Sequence, residues 1–581
     1  MSDDKIKEII NKYRETNFYE GIKEYIDDKI VIDFAPVREN ILFWYDFKPN
    51  SNVLEICAKK GAITGLLTKK ANKVVSITED VEFVKYRYKD YNNLEIINNF
   101  VDKIEFNEKF DYVIFVGELH DFCESFSNNK LDFCFNYLKI LLKENGKILF
   151  SITNSLGLNI NNRLNEQEVI YTKNDFLDIF NKVGFKNVRN YYPLPNQYFT
   201  QVIYTDDYLP TSDDILNSYN TNYFNVDYIL YDEKEKLRKY IINNSFDIVT
   251  NSYLFEISNE DLELNKVNFI SSSLTRKDEY RIITKLYSDK ANKVAISNNK
   301  ILKTLVEKNK LLTERGLNTI NEYFINENTT QSEMEESPLY IYELSKLFEK
   351  DISLFKEKFV EFKDLVLKTS DILEDKSNTV FEKFGIKVSE KLKDEMIFLK
   401  DGYLDFIVCN AFYKNDKLFF FDQEWIEGNV PLKFILYRNV VCMFLRTRIS
   451  NYITFEEMLN LYEITTEEVE IFIELEKQFQ LEVISFELTN YFNSNQNRSK
   501  LKDYVKYLED IKVEKEKIYE EYVRSSREYE IVANNYNELA AKYNELVLEN
   551  NELKTLYDKL VEYENLSFIQ KILKKYKEDK K

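Results

Sequence analysis

Hydrophobic and polar positions along the first 150 residues alternate between short apolar runs and helical periodicities. NVLEIC (52–57) is an apolar run ending in an acidic and a small residue, followed by the turn Lys60-Gly61-Ala62 and the helical pattern Ile63, Leu66, Leu67. Lys73–Ile77 follows as a second strand capped by Thr78-Glu79-Asp80. Then come Leu94–Ile97, Phe110–Gly117, a helix around 131–142 and the strand Gly146–Ile152. Repeated βα units predict a parallel sheet with helices on both faces, which binds ligands at the carboxyl ends of its strands. Chain order puts Glu55, Gly61, Glu79, Asp102 and Gly117 at that edge.

After residue 220 the pattern changes. Tyr253–Ile257, Asn268–Ile270 and Arg281–Tyr287 read as antiparallel strands of a small β-rich lobe that precedes a helical lobe. Within the latter, Gly402–Asn410 leads into a hairpin through Asn415-Asp416 and on to the run FFFDQEW (419–425). From Tyr529, the positions Val532, Tyr536, Leu539, Tyr543, Leu546, Asn550, Leu553, Tyr557 and Leu560 recur at spacings of three and four, an a/d heptad seam. The division is therefore 1–215, 216–495, a coiled coil over 500–563, and an amphipathic basic tail over 564–581.

Composition narrows the class. A chain of 581 residues exceeds one core and predicts several domains. Its net charge of −20 repels a phosphate backbone, which excludes nucleic acid as the expected partner. Five scattered cysteines without a C-x-x-C, and a single histidine, point to reduced thiols rather than zinc or disulfides. No run approaches the ~18 apolar residues of a membrane span, and the N-terminus is polar. The expectation is a cytoplasmic protein, at most peripheral to a membrane.

The first unit resembles the class I S-adenosylmethionine-dependent methyltransferases. VLEICAKKGAITGLL is similar to their first motif, FDYVIFVGELHDF to the fourth-strand motif, and KENGKILFSITNSLGLNI with residues 184–210 to a subfamily found with bacterial surface-glycan assembly genes. The resemblance implies S-adenosylmethionine as cofactor, with Glu55, Ala58 and Gly61 on the donor's methionine and Thr78 or Glu79 on its ribose. The motif departs from the family where Cys57, Lys59 and Lys60 replace small residues. His120, the sole histidine, follows the fourth strand and is a candidate general base.

An Asp and an Asn five apart, with a second Asp twelve beyond the Asn, is how phosphotransferases hold a hydroxyl and Mg²⁺. The arrangement resembles the aminoglycoside and choline kinase branch of the kinase-like fold. The resemblance implies ATP and Mg²⁺, with Asp405 as base, Asn410 and Asp422 as metal ligands and Glu424 in support. Lys285 and Lys293 are candidates for the strand lysine and Glu307 for its partner; no glycine-rich loop covers the phosphates.

The whole chain thus reads as α/β: a Rossmann-like methyltransferase domain, an α+β kinase-like domain and a C-terminal α-helical coiled coil. This order resembles the bifunctional methyltransferase/kinase proteins that terminate bacterial O-antigen chains. It implies phosphorylation of a sugar hydroxyl and methylation of that phosphate on a glycan or glycolipid precursor, with the coiled coil building a homo-oligomer; a glycosyltransferase is a candidate partner. The rival reading is a catalytically decayed scaffold that recruits glycosyltransferases through the coiled coil.

Overall fold

A computed structural model of the chain describes residues 3–15, 28–161, 171–218, 221, 229–259 and 264–496, and short stretches between 505 and 518. The heptad seam from Tyr529 and the basic tail lie outside the described residues. The stretches 505–506, 508–509 and 511–518 are helical.

Among the described residues, thirteen strands form one sheet. They are β1 (Asn52–Glu55), β2 (Lys73–Ile77), β3 (Leu94–Ile97), β4 (Phe110–Gly117), β5 (Leu142–Thr153), β6 (Asn187–Leu194), β7 (Val202–Thr205), β8 (Ser252–Ser258), β9 (Phe269–Ser272), β10 (Ile282–Leu286), β11 (Lys290–Ala295), β12 (Tyr323–Asn326) and β13 (Thr329–Glu333). Their spatial order is β12-β13-β11-β10-β9-β7-β6-β8-β5-β4-β1-β2-β3. From β5 to β3 the pairings are parallel, the Rossmann-like arrangement expected from the βα repeats.

Alternate residues of the parallel strands enter opposite cores. Leu54, Ile56, Val75, Val113 and Phe150 pack with the helices Leu131–Leu141 and Lys173–Val183, whereas Val53, Val74, Ile114 and Leu149 pack with Ile41, Trp44 and Leu67. Both faces of this sheet are therefore covered, which explains its near-continuous apolar runs. The Lys173–Val183 helix is punctuated locally: Thr172 and Asp175 form a capping box at its start, and Gly184 ends it at φ 82°.

β8 corrects one assignment. Tyr253–Ile257, expected in the β-rich lobe of the second unit, lies between β5 and β6 and is antiparallel to both. The sheet then runs on through β7 and β9, so no break in it marks the division drawn at 215.

Beyond β13 the chain builds a separate, mainly helical core from Ile341, Phe355, Phe362, Phe406, Ile435, Phe472 and their neighbours. Two small antiparallel pairs stand on it. β14 (Phe398–Tyr403) pairs with β17 (Ile426–Pro431), and β15 (Ala411–Lys414) with β16 (Lys417–Phe420). The β15–β16 turn is the expected hairpin, with Asn415 and Asp416 at φ 49° and 58°. The last helix of this unit returns to the first: Leu488, Tyr491 and Phe492 pack with Ile6, Ile9, Ile10 and Phe199.

Candidate functional site

Residues 57–61 leave β1 in a tight turn in which Cys57, Lys59 and Gly61 all have left-handed backbones, at φ 57°, 47° and 77°. Only Gly61 adopts this without a Cβ penalty. The turn is held by its surroundings: the Thr78 hydroxyl donates to the Lys59 carbonyl at 2.7 Å, Arg87 Nη1 to the Lys60 carbonyl at 2.7 Å, and the Tyr88 hydroxyl to that of Gly61. A Cβ on Gly61 would stand 2.7 Å from Cε2 of Tyr88, so this glycine is required by the Tyr88 ring.

At the carboxyl ends of β1, β2 and β3 a cavity of about 370 Å³ opens, lined by Cys57, Lys59, Glu79, Asn99, Phe100 and Asp121 among others. Its size falls in the range of about 300–1,000 Å³ usual for small-molecule sites. Glu79 is exposed on its rim directly after β2. Lys59 Nζ reaches Asp121 at 2.5 Å.

Glu55 stands beneath the turn, 2 % exposed. Its Oε2 accepts from Thr64 Oγ1 at 2.7 Å and from the Ser76 hydroxyl, while Oε1 has no hydrogen-bond partner. Burial pushes its carboxyl up to about 6, against the two hydroxyls that hold it down. A native pKa above the ordinary 4.5 means that the native state binds more protons than the unfolded state between those values. Stability contributed by the protonated form is complete below about pH 4.5 and is lost as pH rises through about 6. Glu55→Gln should therefore flatten the stability profile over that window and stabilise the protein by about 2 kcal/mol at pH 7. Urea unfolding of both proteins at pH 4.5 and 7 checks this, and parallel profiles would refute it.

The other first-unit candidates divide. Ala58 donates its backbone N–H to the Ile77 carbonyl at 2.9 Å, and Thr78 ties the turn, so both position the cavity wall. Asp102 is turned to Ser127, accepting from its backbone N–H at 2.7 Å and from its hydroxyl, and is not among the cavity lining. Gly117 packs against Phe115, and its carbonyl accepts from Gln197 Nε2 at 2.8 Å. His120 does not join the site: its side chain is 75 % exposed and paired with Glu124 at 3.1 Å, outside the lining. Next to Gly117, however, Glu118 Oε1 accepts from Tyr198 OH at 2.8 Å and Thr153 Oγ1 at 3.0 Å, with the Arg38 guanidinium 4.6 Å above the Tyr198 ring. Sequence reasoning missed Glu118, Tyr198 and Asp121; the first and last stand in the quoted fourth-strand motif, beside the histidine that drew attention.

In the second unit, Lys293 on β11 is the buried cation of a cluster, pairing with Glu322 at 2.7 Å and with Asp422. Lys285 is bound to Asp46 at 2.8 and 2.9 Å, away from this cluster. The partner of Lys293 is Glu322, just before β12, rather than Glu307 on the Lys300–Glu314 helix. Arg276, which sequence reasoning also missed, meets Glu424 at 2.8 Å.

Asp405 is half-buried, and desolvation pushes its carboxyl up to about 7 despite Arg438, whose Nη1 is 4.0 Å from Oδ1. Asn410 and Gln423 both donate to the Asp405 carbonyl at 3.1 Å, which closes the loop. The proposed metal ligands do not fit Mg²⁺ in this arrangement. Asp422 faces Lys293, the Asn410 Nδ2 group donates into the loop, and among the described residues no group of three His, Cys, Asp or Glu is placed to hold a metal. A larger cavity of about 660 Å³, between the helices 340–350 and 352–368, is lined by none of the candidate residues.

No protein-family model matches the chain. Over 111 residues it is 30 % identical to ribosomal RNA small subunit methyltransferase A of Alkaliphilus metalliredigens, a match covering 19 % of this chain. The match spans 37 % of the length of that curated relative. Among solved structures, a SAM dependent methyltransferase from Archaeoglobus fulgidus has a TM-score of 0.26 at 12 % identity, covering 40 % of this chain and 94 % of that one. A SAM-dependent methyltransferase from Thiobacillus denitrificans, in complex with S-adenosyl-L-homocysteine, has a TM-score of 0.21 at 14 % identity, covering 28 % and 73 %. These likenesses are local or loose, and the geometry above stands independently of them.

Proposed function

We propose that the chain is an S-adenosylmethionine-dependent methyltransferase whose donor occupies the cavity at the ends of β1, β2 and β3. The observation that carries this reading is the placement of Glu79 on the cavity rim beside a turn with three left-handed residues. The bound donor supplies an electrophilic methyl group on a sulfonium. Glu79 accepts the paired ribose hydroxyls, Phe100 and Asn99 flank the base, and Glu55 supports the turn from below with one carboxylate oxygen still free to accept. The acceptor enters beside Gly117 and Glu118. On the resemblance stated above, that acceptor is a glycan or glycolipid precursor of a bacterial surface polysaccharide. The heptad region then assembles the enzyme as a homo-oligomer and recruits a glycosyltransferase. Among the described residues no helix is long and apolar enough to cross a membrane.

Isothermal titration with S-adenosylhomocysteine tests the reading. Binding by the intact protein and a roughly 10–100-fold loss in Glu79→Ala, the equivalent of hydrogen bonds to one charged group, are expected. Equal binding by both proteins would remove Glu79 from the site, and no binding by either would end the proposal.

A second reading concerns the Lys293 cluster. Asp422, Glu424 and Glu322 each already face a fixed cation, which favours a structural ion-pair lock over phosphoryl transfer there. On this reading the second unit serves as a scaffold for the first.

A further inference from the structure

Lys59 occupies a position that its backbone makes expensive. At φ 47° a lysine sits where glycine is the relaxed choice, yet the side chain is directed across the cavity and its ammonium lies 2.5 Å from Asp121 Oδ2. Both residues line the same cavity: Lys59 comes from the turn after β1, and Asp121 from the short Leu119–Glu124 helix after β4. Cys57 adds a second side chain to the same wall, also in left-handed backbone. The remaining charges on the lining are acidic: Glu79, Asp80, Asp121 and Glu124. Lys60, which sits over the Phe83 ring, approaches Asp80 only at 3.9 Å. The Lys59 ammonium is thus the cation that the cavity itself brings to its acidic wall.

Resting on the donor reading above, we infer that Lys59 and Asp121 form a latch across the donor cavity, with Lys59 acting as a built-in competitor for cationic ligands and setting the preference between donor and product. S-adenosylmethionine carries a sulfonium that S-adenosylhomocysteine lacks. Entry of either ligand must displace the Lys59 ammonium from Asp121, but only the donor then holds its fixed sulfur charge near the freed ammonium. The partly exposed pair, with Lys59 57 % and Asp121 22 % exposed, is one that a ligand can open at small cost. The wild-type protein therefore binds the neutral product better than the cationic donor.

The test is titration of the intact wild type, Lys59→Met and Lys59→Gly with each ligand. Lys59→Met keeps the Cβ and an unbranched chain one atom shorter while removing the ammonium; Lys59→Gly also relieves the backbone. Both variants should bind S-adenosylmethionine at least fivefold more tightly than wild type. The ratio of donor to product affinity should rise in both, and by less in wild type when salt is added. Measurable binding with the same donor-to-product ratio in all three proteins overturns the latch and leaves the donor site standing. Absence of binding of either ligand to all three removes the donor site itself.

Discussion

Glu256→Ala is expected to destabilise the protein by about 3–5 kcal/mol, the usual cost of leaving a buried charge without its partner. Glu256 is fully buried on β8 and accepts from Tyr45 OH at 2.7 Å, Tyr191 OH at 2.8 Å and Lys147 Nζ at 2.7 Å. These donors come from three separate elements: the N-terminal segment, β6 and β5. Alanine would remove the carboxylate to which an ammonium and two hydroxyls donate in the middle of the sheet. Loss of the carboxylate also removes the acceptor of the Asn265 backbone N–H at 3.2 Å. The readout is the midpoint of the first transition in urea unfolding, because a chain with more than one core need not unfold in one step. Glu256→Gln, which retains an acceptor for the hydroxyls, should fall between wild type and alanine. A loss below about 1 kcal/mol for alanine, the level of an exposed pair, would show that the network contributes little.

Glu256 also marks where sequence reading ends. The strand YLFEIS is recognisable as a strand, but nothing in it tells a half-exposed edge from a central position, and its Glu suggests the former. It returns to the first sheet after the helices 212–218, 233–242 and 246–249, so chain order hid its neighbours. The parallel strands were legible because burial on both faces leaves each a compact apolar run with its βα turn beside it. The cavity was half legible. Glu55, Gly61 and Glu79 follow strand ends by local spacing, whereas Asp121 meets Lys59 across 62 residues of sequence and Glu322 meets Lys293 across 29. Ion pairs between elements are set by packing, which no local pattern encodes. His120 is the converse case: a chemically suggestive residue just after the fourth strand, whose side chain is exposed beside Glu124.

Lys293→Met is expected to cost a comparable amount, again about 3–5 kcal/mol, because it leaves Glu322 buried without its cation. Lys293 is 6 % and Glu322 8 % exposed. Burial raises the Glu322 carboxyl and Lys293 opposes it, so without the lysine the group is driven further toward its neutral form. With the native pKa raised, the loss should be greatest at neutral pH and should shrink as acid protonates Glu322. Lys293→Met/Glu322→Gln should be more stable than Lys293→Met alone, since it removes the orphaned charge together with its partner; additive losses would mean the two residues act separately. The same proteins decide between the two readings of the second unit. A ligand that binds only the native state raises its melting temperature. If the cluster is a structural lock, Mg·ATP leaves the melting temperature of wild type unchanged. A rise in wild type that disappears in Lys293→Met would instead place a nucleotide beside this lysine. It would also require Asp422 to leave Lys293, the pairing that now keeps the cluster closed to a metal.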